Sequence, residues 1–445
     1  MSVILGNKAS LLVNVTRFEI TSNCNNNVVN VIGGNGFVSL IYHESVLENC
    51  IKATATIADT GYALSKGNTK DRVGLIEGLD LCGGEKVELE FVDGYGNKIS
   101  FSNEKSLYIG KIRNRIESNQ NMVFVIDLVT REFLINELQE TRVVQRYDGK
   151  ISDSVTSILK KTLKTEKNIH VDPTINSYSF NGHTEKPLYK CTWLAKRSVP
   201  DIKGASGKTA GYFFFENYNG FQFKSIDTLL DHEKRSYKSY IHDGVVEGLP
   251  PPTYDGKIVS KSFHINIDVQ EKLMIGAYGT QVRTYDLYRN NYDENEVIPS
   301  ESESDGLNYA GYKLPCFPKE ISDKPTRIIS KIQPVGILKP IKKSKEFDYD
   351  VKSIVAQSAS RYNQLFTIKM SITIATDMSL RAGDLIFCDF IEMSSEKNQK
   401  VSTKDSGIYM ISDVITLIEP QKSYTKLNLV RDSYGRKPNP NRKIA

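Results

Sequence analysis

Two stretches of this chain share one alternation of apolar and polar positions. Ile51-Lys52-Ala53-Thr54-Ala55-Thr56-Ile57-Ala58 matches Ile368-Lys369-Met370-Ser371-Ile372-Thr373-Ile374-Ala375, with five identities in eight positions. A period of two places every second side chain on one face, so each stretch predicts a strand with one buried face. Gly84-Glu85, then Val87, Leu89 and Phe91, matches Gly383-Asp384, then Ile386, Cys388 and Phe390. The glycine permits a left-handed turn into the strand. The intervening Glu88 and Glu90, and Asp389 in the second copy, are expected to face outward, where Phe387 replaces the other acid. Tyr108 to Leu128-Val129 aligns with Tyr409 to Leu429-Val430, and both intervals are 20 residues. A helix over His43–Cys50 and another over Ser353–Gln364 are expected to precede the paired strands. The gap from Ala58 to Gly84 is 26 residues against 8 from Ala375 to Gly383, an insertion of about 18. The pattern predicts an internally duplicated β module.

Four segments and a tail follow. Residues 1–140 read as the first β domain, with Asp93-Gly94 favouring a tight hairpin. Residues 141–235 read as a small α+β domain. Its helix is capped by Ser152 or Asp153 and buries Val155, Ile158, Leu159 and Leu163; Gly211–Glu216 and Phe221–Ser225 form a hairpin around the turn Asn217–Gly220. Residues 236–345 are the least regular, with a strand over Phe263–Val269, an acidic loop over Asp293–Asp305 and a basic stretch at Lys339, Lys342, Lys343 and Lys345. This segment is expected to contribute strands to the second β domain and to an inserted domain. The charge runs read as solvated loops. Residues 346–435 form the second β domain, and 436–445 a basic tail containing proline.

A length of 445 residues suffices for two to four domains. The net charge of +5 is too small to indicate a nucleic-acid binder on a chain this long. Abundant Tyr and Phe lean toward strand-rich structure. Six widely spaced cysteines at 24, 50, 82, 191, 316 and 388 read as free thiols of a reducing cytosol. The first residues lack a basic and apolar leader, and no apolar run approaches the length of a membrane span, so neither a signal peptide nor membrane insertion is expected.

Candidate chemistry is sparse. Gly204-Ala205-Ser206-Gly207-Lys208-Thr209 suggests a phosphate loop, but Ile202 occupies the position that needs glycine, so a flexible loop is the better reading. The histidines at 43, 170, 183, 232, 242 and 264 have no metal-ligand spacing, and no serine stands in a nucleophile elbow. Trp193 reads as a core residue, with an interface anchor as the alternative. No catalytic, cofactor-binding or metal-binding residue is expected, and no cofactor.

Longer strings carry a resemblance. Ile151-Ser152-Asp153-Ser154 leads through Ile158-Leu159, Lys186-Pro187-Leu188 and Cys191–Ser198 to Gly211–Asn217 and Asn219–Phe223. Arg361, Leu380–Asp384, Ser406–Tyr409 and Leu429–Arg436 follow. Together they resemble the baseplate hub proteins of contractile-tailed bacteriophages, over nearly the whole chain and most thinly over 236–345. The resemblance implies a β-rich, multidomain α+β fold. Two tail-tube-like β-barrel or sandwich domains would carry smaller inserted α+β domains. It implies a homotrimer whose six modules form a pseudo-sixfold ring between a hexameric tail tube or tube initiator and a trimeric spike. Baseplate wedge proteins would surround it, and phage DNA would be in transit only. The implied location is the virion baseplate, after synthesis in the host cytoplasm; no enzymatic role is implied. A receptor- or carbohydrate-binding tail protein, with exposed aromatic clusters in a groove, and a tail-associated cell-wall hydrolase are the alternatives.

Overall fold

The computed structural model describes residues 12–435, apart from 26, 33–35, 62–63, 66–71, 118–120, 203–208, 243–255, 266–267, 288–289, 299–306, 313, 316, 323, 334–350 and 393–400. The Gly204–Lys208 string, the basic stretch from Lys339, most of the acidic loop and the tail from Arg436 lie outside the described residues.

The first module supplies β1 (Asn14–Thr21), β2 (Phe37–Ser45), β3 (Lys52–Asp59), β4 (Lys86–Val92), β5 (Leu107–Glu117) and β6 (Met122–Thr130). A middle unit contributes the hairpin β7 (Tyr212–Asn217) and β8 (Gly220–Ser225). The second module supplies β9 (Lys238–His242), β10 (Ile258–Ile265), β11 (Ile368–Ala375), β12 (Leu385–Phe390), β13 (Gly407–Ile418) and β14 (Ser423–Arg431). Strands of both modules belong to one 14-stranded sheet. Its main path runs β10-β11-β14-β13-β2-β3-β6-β5-β4-β1 and ends on Val28–Asn30. Off this path β12 pairs with both β9 and β13, and a bridge from Ile241 to Lys257 sets β9 beside the start of β10.

The duplication extends to the hydrogen-bond register. Lys52 pairs with Val129 across β3 and β6, and Lys369 pairs with Val430 across β11 and β14. Ala53 faces Leu128 as Met370 faces Leu429, and Ala55 faces Ile126 as Ile372 faces Leu427. A bulge interrupts β5 at Gly110 and β13 at Ser412, each directly after the isoleucine that pairs with Leu128 or Leu429. Another falls at Val38 in β2 and at Val259 in β10. Because a one-residue slip reverses the faces of a strand, matched registers and matched bulges make the two modules copies in structure. Val87, Leu89 and Phe91 are buried in one core and Ile386, Cys388 and Phe390 in the other, as the alternation predicts.

Several expectations need correction. Residues 43–50 form no helix: β2 continues to Ser45, and a turn leads to β3. The strand expected over Phe263–Val269 runs from Ile258 to Ile265, and Val269 opens a short helix. Asp293 to Val297 belongs to a strand paired with Thr280–Asp286, not to a loop. The tyrosines do not align. Tyr108 pairs with Val129, but Met410 pairs with Val430, so Tyr409 corresponds to Leu107. The turn at Asp93 spans five residues, with the Asp93 carboxylate accepting the Tyr95 and Asn97 amides. The helix of Ile151–Ser157 has Lys150 at its N-cap and no side-chain cap, although Val155, Ile158, Leu159 and Leu163 are all buried. The helix Val351–Leu365 covers the one expected before the second strand repeat.

Candidate assembly interface

The two modules meet edge to edge. Residues 413–418 of β13 pair antiparallel with residues 40–45 of β2, in the register Asp413–Ser45 to Ile418–Leu40. Ile418 enters the core of the first module, as does Met378. This joint makes one sheet of two modules, and its ladder satisfies the backbone of two edges that are otherwise open to foreign strands.

Buried carboxylates hold the joint. Glu44 projects inward with Leu40 and Tyr42, and three parts of the chain converge on it. The Tyr42 hydroxyl donates to it at 2.5 Å, the Tyr218 amide at 2.8 Å and the Ala382 amide at 3.0 Å. It thereby ties β2 to the tip of the middle hairpin and to the turn before β12. The Asp93 carboxylate accepts the Met378 amide at 2.7 Å, a second link between the modules. Glu216 on β7 accepts from the Ile51 amide and the Thr130 hydroxyl, and pairs with Lys167 at 2.6 Å. Lys167 also contacts Glu132 at 2.5 Å, so one buried ammonium serves two buried carboxylates. Burial pushes the Glu216 carboxyl above its ordinary value despite the lysine. For Lys167, burial opposes the charge, but Glu216 and Glu132 outweigh it and raise the ammonium.

The strings that carried the hub resemblance act as such fasteners. Arg361 is buried and reaches Asp227 at 3.0 Å and the Asn308 carbonyl at 2.9 Å. Its other terminal nitrogen lies 3.6 Å from Asp432. Arg431 is fully buried and donates to the Ser406 and Gly435 carbonyls. Arg381 donates to the Met378 and Leu380 carbonyls, and its amide donates to Asp384. Trp193 packs on Tyr178 and Phe180 at the edge of the middle core, with the Arg197 guanidinium 3.7 Å from its ring centre.

The sheet face opposite the cores mixes apolar side chains such as Ile41, Val123, Ile415 and Leu417 with polar ones, and its polar pairs match between the modules. Thr54 donates to Asp127 at 3.0 Å, and Ser371 donates to Asn428 at 2.7 Å from the equivalent positions. Arg113 holds the Asp127 carboxyl below its usual range. Lys52 pairs with Glu48, and His43 lies 3.6 Å from Asp413. Burial alone would raise Asp413, but hydrogen bonding with His43, Ser45, Ser412 and Asn428 lowers it to about 2. The acids expected to face outward are not free. Glu88 pairs with Arg17 and Lys86, Glu90 pairs with Lys98, and Asp389 is buried. In the second module Phe387 packs against Phe213, Phe215 and Leu229, so the middle unit covers what would be a wet face of β12.

A cavity of about 580 Å³ lies where the middle unit meets the Val351–Leu365 helix, lined by Phe213, Tyr362 and Phe366 among others. Phe213 and Tyr362 pack edge to face, and Tyr362 hydrogen-bonds to the Tyr212 backbone, so these rings are engaged with the protein itself. Among the described residues no group of three His, Cys, Asp or Glu side chains could hold a metal ion, and no helix is long and apolar enough to cross a membrane. The five described cysteines are free.

The chain aligns with the probable baseplate hub protein gp334 of Vibrio phage KVP40, at 19% identity over 378 residues, covering 82% of this chain and 85% of that one. The 43 kDa tail protein of prophage MuSo2 from Shewanella oneidensis superposes with a TM-score of 0.52 at 7% identity, covering 94% of this chain and 99% of that one. A tail protein from Neisseria meningitidis MC58 superposes with a TM-score of 0.51 at 8% identity, covering 94% and 97%. The fold is that of phage tail proteins. No family model matches the chain. The relationship to baseplate-hub proteins is one of low identity over most of the length. The proteins it resembles are tail and baseplate proteins. The β-rich multidomain α+β architecture accords with theirs.

Proposed function

We propose that the chain is the baseplate hub of a phage tail, a trimer that matches a sixfold tail tube to a threefold spike. The observation that carries this reading is the repeated ladder, Lys52–Val129 and Lys369–Val430, in two modules joined within one sheet. Three copies would present six like modules, and a duplicated module resolves a threefold–sixfold mismatch without new contact chemistry. The first module would be 1–140 and the second 346–435 with strands from 236–345, the α+β unit 141–235 packing between them. Interfaces of this permanence bury on the order of 2,000 Å² or more.

This sheet face is the candidate lining of a bore for DNA in transit. Two of its cations, Arg113 and Lys52, are paired with Asp127 and Glu48. Neutralised cations would not retain phosphates as a bare basic surface does. Tube or tube initiator, spike and wedge proteins are the proposed partners, and the virion baseplate the proposed location. The tail 436–445 is proposed to touch the spike; unchanged spike co-assembly after its deletion would dispose of that contact. The mass of the purified chain, alone and with its spike, tests the whole reading: a trimer supports it, and a monomer in both conditions contradicts it.

A further inference from the structure

The joint between the modules leaves its two halves unused elsewhere in the same chain. Residues 413–418 of β13 are paired on both edges, with β14 and with β2. The counterpart of that stretch is residues 111–117 of β5, which pair with β6 alone. Among the described residues their outer edge has no strand partner, and all but Ile112 are exposed. The counterpart of β2 is β10, which pairs with β11; among the described residues its outer edge meets β9 only at the bridge from Ile241 to Lys257, and no ladder follows over 259–265. Ile116 is 70% exposed on one open edge and Val259 38% on the other. Such edges invite another chain unless they are covered.

We infer that β5 of one copy pairs antiparallel with β10 of a second copy, in the register of the internal β13–β2 joint. The trimeric ring of the hub reading is what this pairing would close. The register follows from the matched ladders. In the internal joint Ile415 faces His43, Leu417 faces Ile41 and Ile418 faces Leu40. By their partners on β6 and β14, Arg113, Ile116 and Glu117 stand for Ile415, Leu417 and Ile418. By their partners on β3 and β11, Ile265, Ser262 and Lys261 stand for His43, Ile41 and Leu40. The transferred joint therefore sets Arg113 against Ile265, Ile116 against Ser262 and Glu117 against Lys261.

The bulges supply an independent check. β5 carries an extra residue between Arg113 and Ile116 that β13 lacks. β10 carries an extra residue between Phe263 and Ile265 that β2 lacks. Transferred onto the joint, the two insertions fall opposite each other and cancel. Asn114 then faces His264 and Arg115 faces Phe263, and the ladder runs unbroken from 113 to 117. Each insertion alone would throw the joint out of register by one residue and reverse the faces beyond it. The pairs are also compatible: Glu117, which pairs with Arg115 in the single chain, would gain Lys261, now over the Phe390 ring, and Arg115 would lie against the Phe263 ring. This seam is more polar than the internal one. A head-to-tail contact of this kind builds a ring where the rotation closes. Closure leaves no open edge.

Cysteine pairing in the full-length chain tests the joint, with the exposed Cys24 and Cys82 changed to serine. Ile116→Cys with Ser262→Cys should give covalent dimers and trimers on oxidation. Arg113→Cys with Lys261→Cys, four positions out of register, should cross-link about tenfold less, since a disulfide reaches only ~7 Å between Cα atoms. Glu117→Lys should weaken assembly and become less sensitive to salt, and adding Lys261→Glu should restore it. Equal cross-linking of both pairs, or a trimer by mass without the in-register cross-link, overturns the joint and leaves the hub reading standing. A chain that stays monomeric and uncross-linked at ~100 μM, far above the Kd of a stable interface, overturns the joint as a property of the chain's own edges. Mass with the spike judges the hub reading separately.

Discussion

Gly84 and Gly383 hold the same station in their two modules: each amide donates to an isoleucine carbonyl, Ile109 at 2.7 Å and Ile411 at 2.9 Å. The same isoleucines donate back to the Glu85 and Asp384 carbonyls at 3.0 and 2.8 Å. Both glycines have positive φ, +82° and +86°. Each following carboxylate staples its own turn, Glu85 through the Cys82 and Gly83 amides and Asp384 through that of Arg381.

The two turns should nevertheless respond differently to alanine. A Cβ at Gly84 meets nothing nearer than 3.8 Å, so only the left-handed backbone opposes it, at about 1–2 kcal/mol. A Cβ at Gly383 lies 2.8 Å from the Phe215 ring, which adds about 1–3 kcal/mol of overpacking. Urea denaturation should show Gly383→Ala to be the more destabilising; equal losses would mean that the Phe215 ring yields freely.

Lys167 sits between two carboxylates, so removing it leaves buried negative charge. Lys167→Met should cost about 3–5 kcal/mol at neutral pH. The sign of its pH dependence follows from Glu216, whose carboxyl is already raised by burial. A carboxyl with a folded-state pKa above its unfolded value binds protons preferentially in the native state, so its contribution to stability declines as pH rises between those values. Without the lysine this window widens upward. The variant should recover part of its loss when denaturation is repeated at pH 5, and a loss independent of pH would contradict the assignment.

Asp413 predicts the opposite slope. Its carboxyl is lowered to about 2, so the stability it supplies is present above its ordinary pKa and is lost as pH falls from about 4 toward 2. Asp413→Asn should flatten that part of the acid-denaturation profile, measured by fluorescence. An unchanged slope would show that the carboxylate does not tie β13 to His43 on β2.

The strand repeats were legible because period-two alternation is a local property, and the Gly-acidic turns because a positive φ demands glycine. What bound the modules together was not legible. A helix is expected over His43–Cys50, whereas Glu44 continues the inward alternation of Leu40 and Tyr42. Its amide donors, Tyr218 and Ala382, lie 174 and 338 residues away in sequence, and no local pattern announces them. Tyr108 and Tyr409 were matched by residue type; the ladder pairs Met410 at that level instead. Arg361 and Asp432 lie in strings that resemble the hub family and Asp227 lies outside them; their buried cluster depends on contacts across the fold.

An end-on class average of the assembled particle most directly tests whether the two modules are interchangeable units of one ring. Six lobes at one radius, with residues 52–130 and 368–431 in alternating lobes, are the predicted result. Three lobes, or two sets at different radii, would contradict it.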